Sequence, residues 1–270
     1  MSNTYRYFYV LKRVFAMDMM GAVKHFGKVK NFSFEDLDNA VIEEIKKYYF
    51  EANALDEDIK TDFEIVDNRR TKKIKDGLLS VSAPYYMIFY SQKTPGAYRN
   101  TGFKIRRMAL YMYMKGILSD LKYKVKLSPE LKKKGNLEAC AVMGFGKGTE
   151  AQSSKEPMTS IQLSVYQEKP KSWINIVVDA VRHAPSYKNG QPWRFLICRN
   201  EFHVFYKGRS AKDMSGYEEM DIGGLLANIY TASDELWLDL KIVKKDDVSY
   251  KTMNYERYIT SIVPNDEFDI

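Results

Sequence analysis

The chain has 270 residues, enough for one large domain or two small ones. Apolar residues make up 45% and charged residues 29%, a balance that excludes a disordered chain. The formal net charge of +7 is spread over short clusters, Arg69-Arg70 with Lys72-Lys73, Arg106-Arg107 and Lys132-Lys133-Lys134; these read as solvated basic surface rather than one nucleic-acid-binding stripe.

The elements follow in chain order. Ser33 ahead of Glu35 and Asp36 predicts a helix start, with Leu37, Val41, Ile42, Ile45 and Tyr49 at helical spacing and an end near Ala54. Asp62 to Val66 reads as a short strand, and Pro84 to Tyr90 as a strand buried on both faces. A long helix is expected from Arg99 to Leu118, with Phe103, Leu110, Tyr111, Met114 and Leu118 on one face. Ala139 to Phe145 is an apolar strand ended by Gly144 and Gly146. The stretch Lys147 to Met158, rich in Gly, Ser, Lys and Glu, reads as an internal linker. Ser172 can cap a helix carrying Ile176, Val177, Ala180 and Val181. Trp193 to Cys198 and Phe202 to Tyr206 pair around Arg199-Asn200-Glu201. A helix from Glu218 to Leu236 and a strand from Leu238 to Val243 follow, and Tyr255 to Val263 packs back on the body. Both halves thus read as helix, two strands, long helix, strand. This is a repeat of organisation, and packing two such halves together would build one core with approximate two-fold symmetry.

Several function classes are set aside by the same residues. Cys140 and Cys198 are isolated, and His25, His183 and His203 are scattered, so neither a disulfide framework nor a metal-ligand spacing emerges. No apolar run reaches the roughly 18 to 20 residues that span a bilayer. Met1 to Tyr9 lacks the apolar core of a signal peptide. A reducing, cytoplasmic setting is the expectation.

The most informative segment is Ala184-Pro185-Ser186-Tyr187-Lys188-Asn189-Gly190-Gln191-Pro192-Trp193-Arg194-Phe195. It lies between a predicted helix and a predicted strand and is stiffened by two prolines. It presents one hydroxyl and two amides, groups that grip a polar ring or a ribityl chain without adding charge. Chemistry alone leaves a capping turn equally open. The segment resembles the Ala-Pro-Ser-x-x-Asn-x-Gln-Pro-Trp motif of the FMN-dependent nitroreductase family, with every named position filled. Asp221-Ile222-Gly223, Ala83-Pro84, Asn100-Thr101-Gly102-Phe103 and Met143-Gly144-Phe145-Gly146 resemble further family segments in the family's order.

The resemblance implies an α+β, nitroreductase-like fold. Two half-units, 1–150 and 151–270, would each carry a mixed, mainly antiparallel sheet flanked by long helices, fused in one chain as a pseudo-dimer. It implies an FMN-dependent oxidoreductase with NADH or NADPH as hydride donor and a flat acceptor such as a nitroaromatic or quinone. A monomer with internal pseudo-two-fold symmetry or a loose homo-oligomer is expected, with neither nucleic acid nor membrane as partner. Pro185, Ser186, Tyr187, Asn189 and Gln191 would meet the flavin's polar edge or ribityl chain. Lys28 and Lys30 would face phosphate or the pyrimidine edge, and Gly116 and Ser119 the ring. No catalytic side chain is required, since the cofactor carries the chemistry. Two positions depart from the family. Phe26 stands where its Arg-x-Ser-x-Arg motif begins, with Lys28 and Lys30 at the later positions and Lys24 close by, and Leu118 replaces a glycine. These departures keep a second reading open: a non-catalytic relative that binds flavin or another small ligand.

Overall fold

The computed structural model describes residues 19–24, 28–77, 80–122, 125–151, 156–207, 214–246, 248 and 257–265. They divide into two compact units, one within His25–Lys155, the other formed by residues 19–24 together with the chain from Glu156 onward.

The first unit is built on β1 (Lys28–Phe32), α1 (Asn39–Glu51), β2 (Thr61–Asp67), the short α2 (Asn68–Thr71), β3 (Ile74–Asp76), β4 (Tyr85–Ser91), α3 (Ala97–Met114), β5 (Leu118–Lys122), β6 (Val125–Leu127), β7 (Lys133–Lys134), β8 (Leu137–Gly146) and β9 (Gly148–Ala151). Its main sheet runs β2-β4-β8-β5, antiparallel throughout, with β7 added beside β8. All seven residues of β4 are buried, as the unbroken apolar run requires. Tyr86, Ile88 and Tyr90 join Val29 and Phe32 of β1 and Ile74 of β3 in one core cluster. Phe89, one step out of phase, meets the ring of Tyr49 on α1. On the same side of the unit, α1 and α3 are locked by Tyr48 and Tyr111, stacked at 3.9 Å between ring centroids.

Several boundaries differ from the expectations, and in the first unit three of them have a clear local reason. The first helix is capped by Asp38, whose carboxylate accepts from the Ala40 N–H at 2.9 Å, rather than by Ser33. The residues before it are engaged elsewhere, with Leu37 N–H donating to the Tyr85 hydroxyl and Ser33 N–H to the Lys147 carbonyl. The long helix stops at Met114 because Gly116 turns left-handed at φ +72°, so Leu118 opens a strand instead of closing a helix. The expected linker is partly ordered strand: β9 pairs antiparallel with β1, while residues 152–155 lie outside the described residues.

The second unit carries α4 (Ser160–Leu163), β10 (Ser164–Tyr166), α5 (Ser172–Arg182), β11 (Trp193–Cys198), β12 (Glu201–Tyr206), α6 (Gly216–Leu236), β13 (Leu240–Val243) and β14 (Arg257–Pro264), with residues 19–24 helical. Its sheet runs β10-β11-β12-β14-β13 and is mixed, parallel only between β10 and β11. Both units are therefore sheets with long helices, the α+β class expected. The turn between β11 and β12 places Arg199 and Asn200 at φ +52° and +56°, the left-handed pair that a two-residue hairpin needs. Ser172 is the first residue of α5 rather than its cap; Lys171 occupies that place without a side-chain bond. A reciprocal capping box between Ser215 and Glu218 starts α6. From Met220 to Ser233, α6 is buried at every position but Tyr230, not on one face only. The C-terminal stretch returns as β14, inserted between β12 and β13.

Candidate functional site

The motif loop occupies residues 184–192 of the second unit, between the end of α5 and the start of β11. Its backbone is held in an unusual shape. Lys188, Asn189 and Gln191 all take left-handed φ, at 56°, 53° and 40°. Asn189 N–H donates to the Ser186 carbonyl and Gly190 N–H to that of Tyr187, closing a tight turn.

Gln191 fastens this turn from inside. It is 2% exposed. Its side-chain oxygen accepts from Met158 N–H at 2.8 Å, and its Nε2 donates to the Arg182 carbonyl at 2.8 Å. Its own N–H donates to Ser186 Oγ at 2.9 Å. Arg182 Nε adds a bond to the Met158 carbonyl at 3.2 Å, tying the end of α5 to residues 156–159. The amide of Gln191 therefore serves the loop itself. Ser186 keeps a hydroxyl hydrogen to donate, and Asn189, Pro185 and Lys188 are exposed.

A second fastening comes from α6. Asp221 is 5% exposed and its Oδ2 accepts from Tyr187 N–H at 2.8 Å. Burial pushes its carboxyl up to about 7, the Tyr187 N–H opposes this, and the nearby charge of Glu218 adds to it. Glu218 goes the other way. Burial alone would raise it, but donors on Tyr206 and Ser215 hold it below its ordinary value. At the rim, the Tyr187 ring stacks on Tyr217 at 5.6 Å and 22°, with Lys188 Nζ 5.2 Å from the Tyr187 centroid. Asp221 stood in the sequence as part of a motif. Its hold on the loop was signalled only by being the one acid in the run Met220 to Tyr230.

The other expected site residues lie on the first unit. Lys28 and Lys30 are exposed on β1, where Lys30 sits at the register shift between Val29 and Asn31. Gly116 has open space around it, so its left-handed φ, not a close neighbour, accounts for the glycine. Ser119 is 5% exposed on β5, and its Oγ is buried without a hydrogen-bond partner among the described residues. Lys24 belongs to the second unit and pairs with Asp179 at 2.9 Å. His25, Phe26 and Gly27 lie outside the described residues. Among the described residues no group of three or more His, Cys, Asp and Glu side chains is arranged to hold a metal ion. No described helix is long and apolar enough to cross a membrane.

Residues 18–233 match the family described as "Putative TM nitroreductase". The chain belongs to this nitroreductase family. A crystal structure of a putative nitroreductase from Thermotoga maritima is similar in fold, with a TM-score of 0.62 and 15% identity over 90% of this chain and 91% of that one. Part of the chain is similar to a nitroreductase with bound FMN from Desulfitobacterium hafniense (TM-score 0.43, 11% identity, 52% of this chain and 94% of that one). An FMN-dependent nitroreductase from Clostridium difficile is likewise similar to part of it (TM-score 0.41, 8% identity, 52% and 95%). No curated protein matches the sequence.

Taken unit by unit, the exposed and buried donors are of the kinds a flavin accepts from: on the second unit the motif loop, on the first unit β1 and β5. Ser186 and Asn189 offer a neutral hydroxyl and an amide. Ser119 has a buried hydroxyl with no partner among the described residues, the kind of group a ligand satisfies. Lys28 and Lys30 carry exposed positive charge suited to a phosphate.

Proposed function

We propose that the protein is an FMN-dependent oxidoreductase that takes NADH or NADPH as hydride donor and a flat molecule, such as a nitroaromatic or quinone, as acceptor. The observation that carries this reading is the complete Ala-Pro-Ser-x-x-Asn-x-Gln-Pro-Trp loop, fixed from two sides, in a chain of the nitroreductase family. When bound, FMN supplies the hydride exchange, and no acid or base side chain is required for it.

The residues of this chain bind and orient. Ser186 and Asn189 hydrogen-bond the polar edge or the ribityl chain. Pro185 and Tyr187 complete the wall that the loop presents. Lys28 and Lys30 neutralise phosphate as point charges, without the bidentate fork of arginine. Ser119 gives the ligand its buried hydroxyl, which has no partner among the described residues, and Gly116 faces the ring as the family resemblance implies. Gln191 acts one step back, holding Ser186 and the turn in the shape that Asn189 needs. Rigid neutral donors are effective here because they need not reorganise when charge develops on the ligand.

The visible spectrum of the purified protein, before and after soaking with excess FMN and removing free ligand, tests this reading. Retained flavin absorbance at about one FMN per chain, as expected where the sequence holds a single complete motif loop, supports it. A colourless protein that also refuses added FMN overturns it. Leu118 in place of the family glycine, with Phe26 and Lys30 in place of the family arginines, would then mark a relative that binds a different small ligand without turnover.

A further inference from the structure

The motif loop is bent against the preferences of its own residues, with Lys188, Asn189 and Gln191 all left-handed. Such a backbone persists only where its surroundings over-determine it. Two restraints do so, and they differ in kind. Gln191 is a neutral amide bonded to backbone groups, so pH does not touch it. Asp221 is ionisable, buried, and bonded to the opposite side of the turn through Tyr187 N–H.

The surroundings of Asp221 resist a negative charge. Glu218 lies three residues earlier on the same helix, held by Tyr206 from β12 and by its own capping partner Ser215. Among the described residues, the charge of Glu218 on α6 raises Asp221 and the Tyr187 N–H of the loop lowers it, while Asp221 in turn raises the Tyr206 hydroxyl of β12; none of these groups is a cation. One N–H donor is weak compensation for a carboxylate removed from water beside a second carboxylate.

We propose that Asp221 is the pH-set positioning residue of the motif loop: protonated, it keeps residues 184–192 docked on α6, and ionised, it drives the loop toward release. Protonation does not break the bond to Tyr187, because a neutral carboxyl still has a carbonyl oxygen to accept with. What changes is the buried charge. A released loop lets the carboxylate reach water, so release gains up to about tenfold per pH unit between the ordinary carboxyl range and the docked value near 7. Above that window the gain levels off. Only the consequence for ligand affinity rests on the flavin reading of the loop; the docking itself does not.

Amide hydrogen exchange of residues 184–192 in the full-length apo protein, corrected for intrinsic rates from about pH 5 to about pH 8.5, tests the proposal. The loop's opening constant is expected to rise with pH and level off near neutrality. Asp221→Asn keeps an acceptor for Tyr187 N–H and is expected to give a flat, low profile. Glu218→Gln keeps the capping partner and removes the repulsion, and is expected to move the plateau to lower pH. Equal pH slopes in the wild type and Asp221→Asn would overturn the proposal, as would a flat wild-type profile. FMN titration of the same samples separates the two readings. If exchange behaves as expected but FMN does not bind, the loop is pH-set and the flavin assignment fails. If FMN binds while exchange is independent of Asp221, the reverse holds.

Discussion

Gln191 and Asn189 sit two positions apart in one loop and have different tasks. The sequence offers both as amides able to meet a ligand. The structure buries one and exposes the other, because the turn at 188–191 points Gln191 back toward Arg182 and Met158. Replacing Gln191 by Leu leaves Met158 N–H and the Arg182 carbonyl without their partner. A loss of about 2 to 3 kcal/mol is expected, read as a lowered urea midpoint with an unchanged slope. Asn189→Leu should leave that midpoint in place and weaken FMN binding about tenfold, the size of one lost hydrogen bond. Unchanged affinity in Asn189→Leu would remove Asn189 from the ligand's contacts. The motif showed that these residues matter together; only the fold separates the one that shapes the loop from the one that faces outward.

At the scale of elements, the buried strand β4, the long helices α3 and α6 and the hairpin β11–β12 were legible, because burial on both faces, helical periodicity and a turn between apolar runs are written locally. The pairing of β1 with β9 was not. Lys147 to Met158 has the composition of a linker, and its strand exists only because β1 lies beside it. Gly148 records that contact. A Cβ there would lie 2.2 Å from the Asn31 carbonyl oxygen, closer than any packed side chain allows. Gly148→Ala should therefore pry the ribbon apart at a cost of about 1 to 3 kcal/mol, seen as faster limited proteolysis around residues 28–33. Proteolysis at the wild-type rate would mean that the ribbon adds nothing to the stability of the first unit.

For the whole molecule, two carboxyls set opposite limits on the stable pH range. Hydrogen bonding to Arg69 holds Asp67 below its ordinary value of 3.8, so its contribution is present above that pH and fades as pH falls through the folded value. Asp221 is raised from 3.8 to about 7, so its contribution is complete below 3.8 and is lost as pH rises through 7. Asp221→Asn should gain stability over the wild type as pH rises. The expected slope is at most about 1.4 kcal/mol per pH unit between these values, levelling off above them. Denaturation at pH 5 and pH 8 measures this, and a difference that does not grow between them would show that Asp221 titrates normally in the folded protein.

The amino-acid sequence alone determined the α+β class, the nitroreductase family and the loop that carries its signature, since periodicity, turn residues and motif spacing are properties of neighbours along the chain. Tertiary structure decided what depends on residues far apart in sequence. It drew residues 19–24 into the unit that begins at Glu156, although boundaries of 1–150 and 151–270 run straight along the chain. It placed β14 between β12 and β13. It also set Asp221 of α6 against the backbone of Tyr187, 34 positions away. Burial gives that carboxyl its proton near neutrality, and burial is a property of the folded molecule that no local stretch of sequence contains.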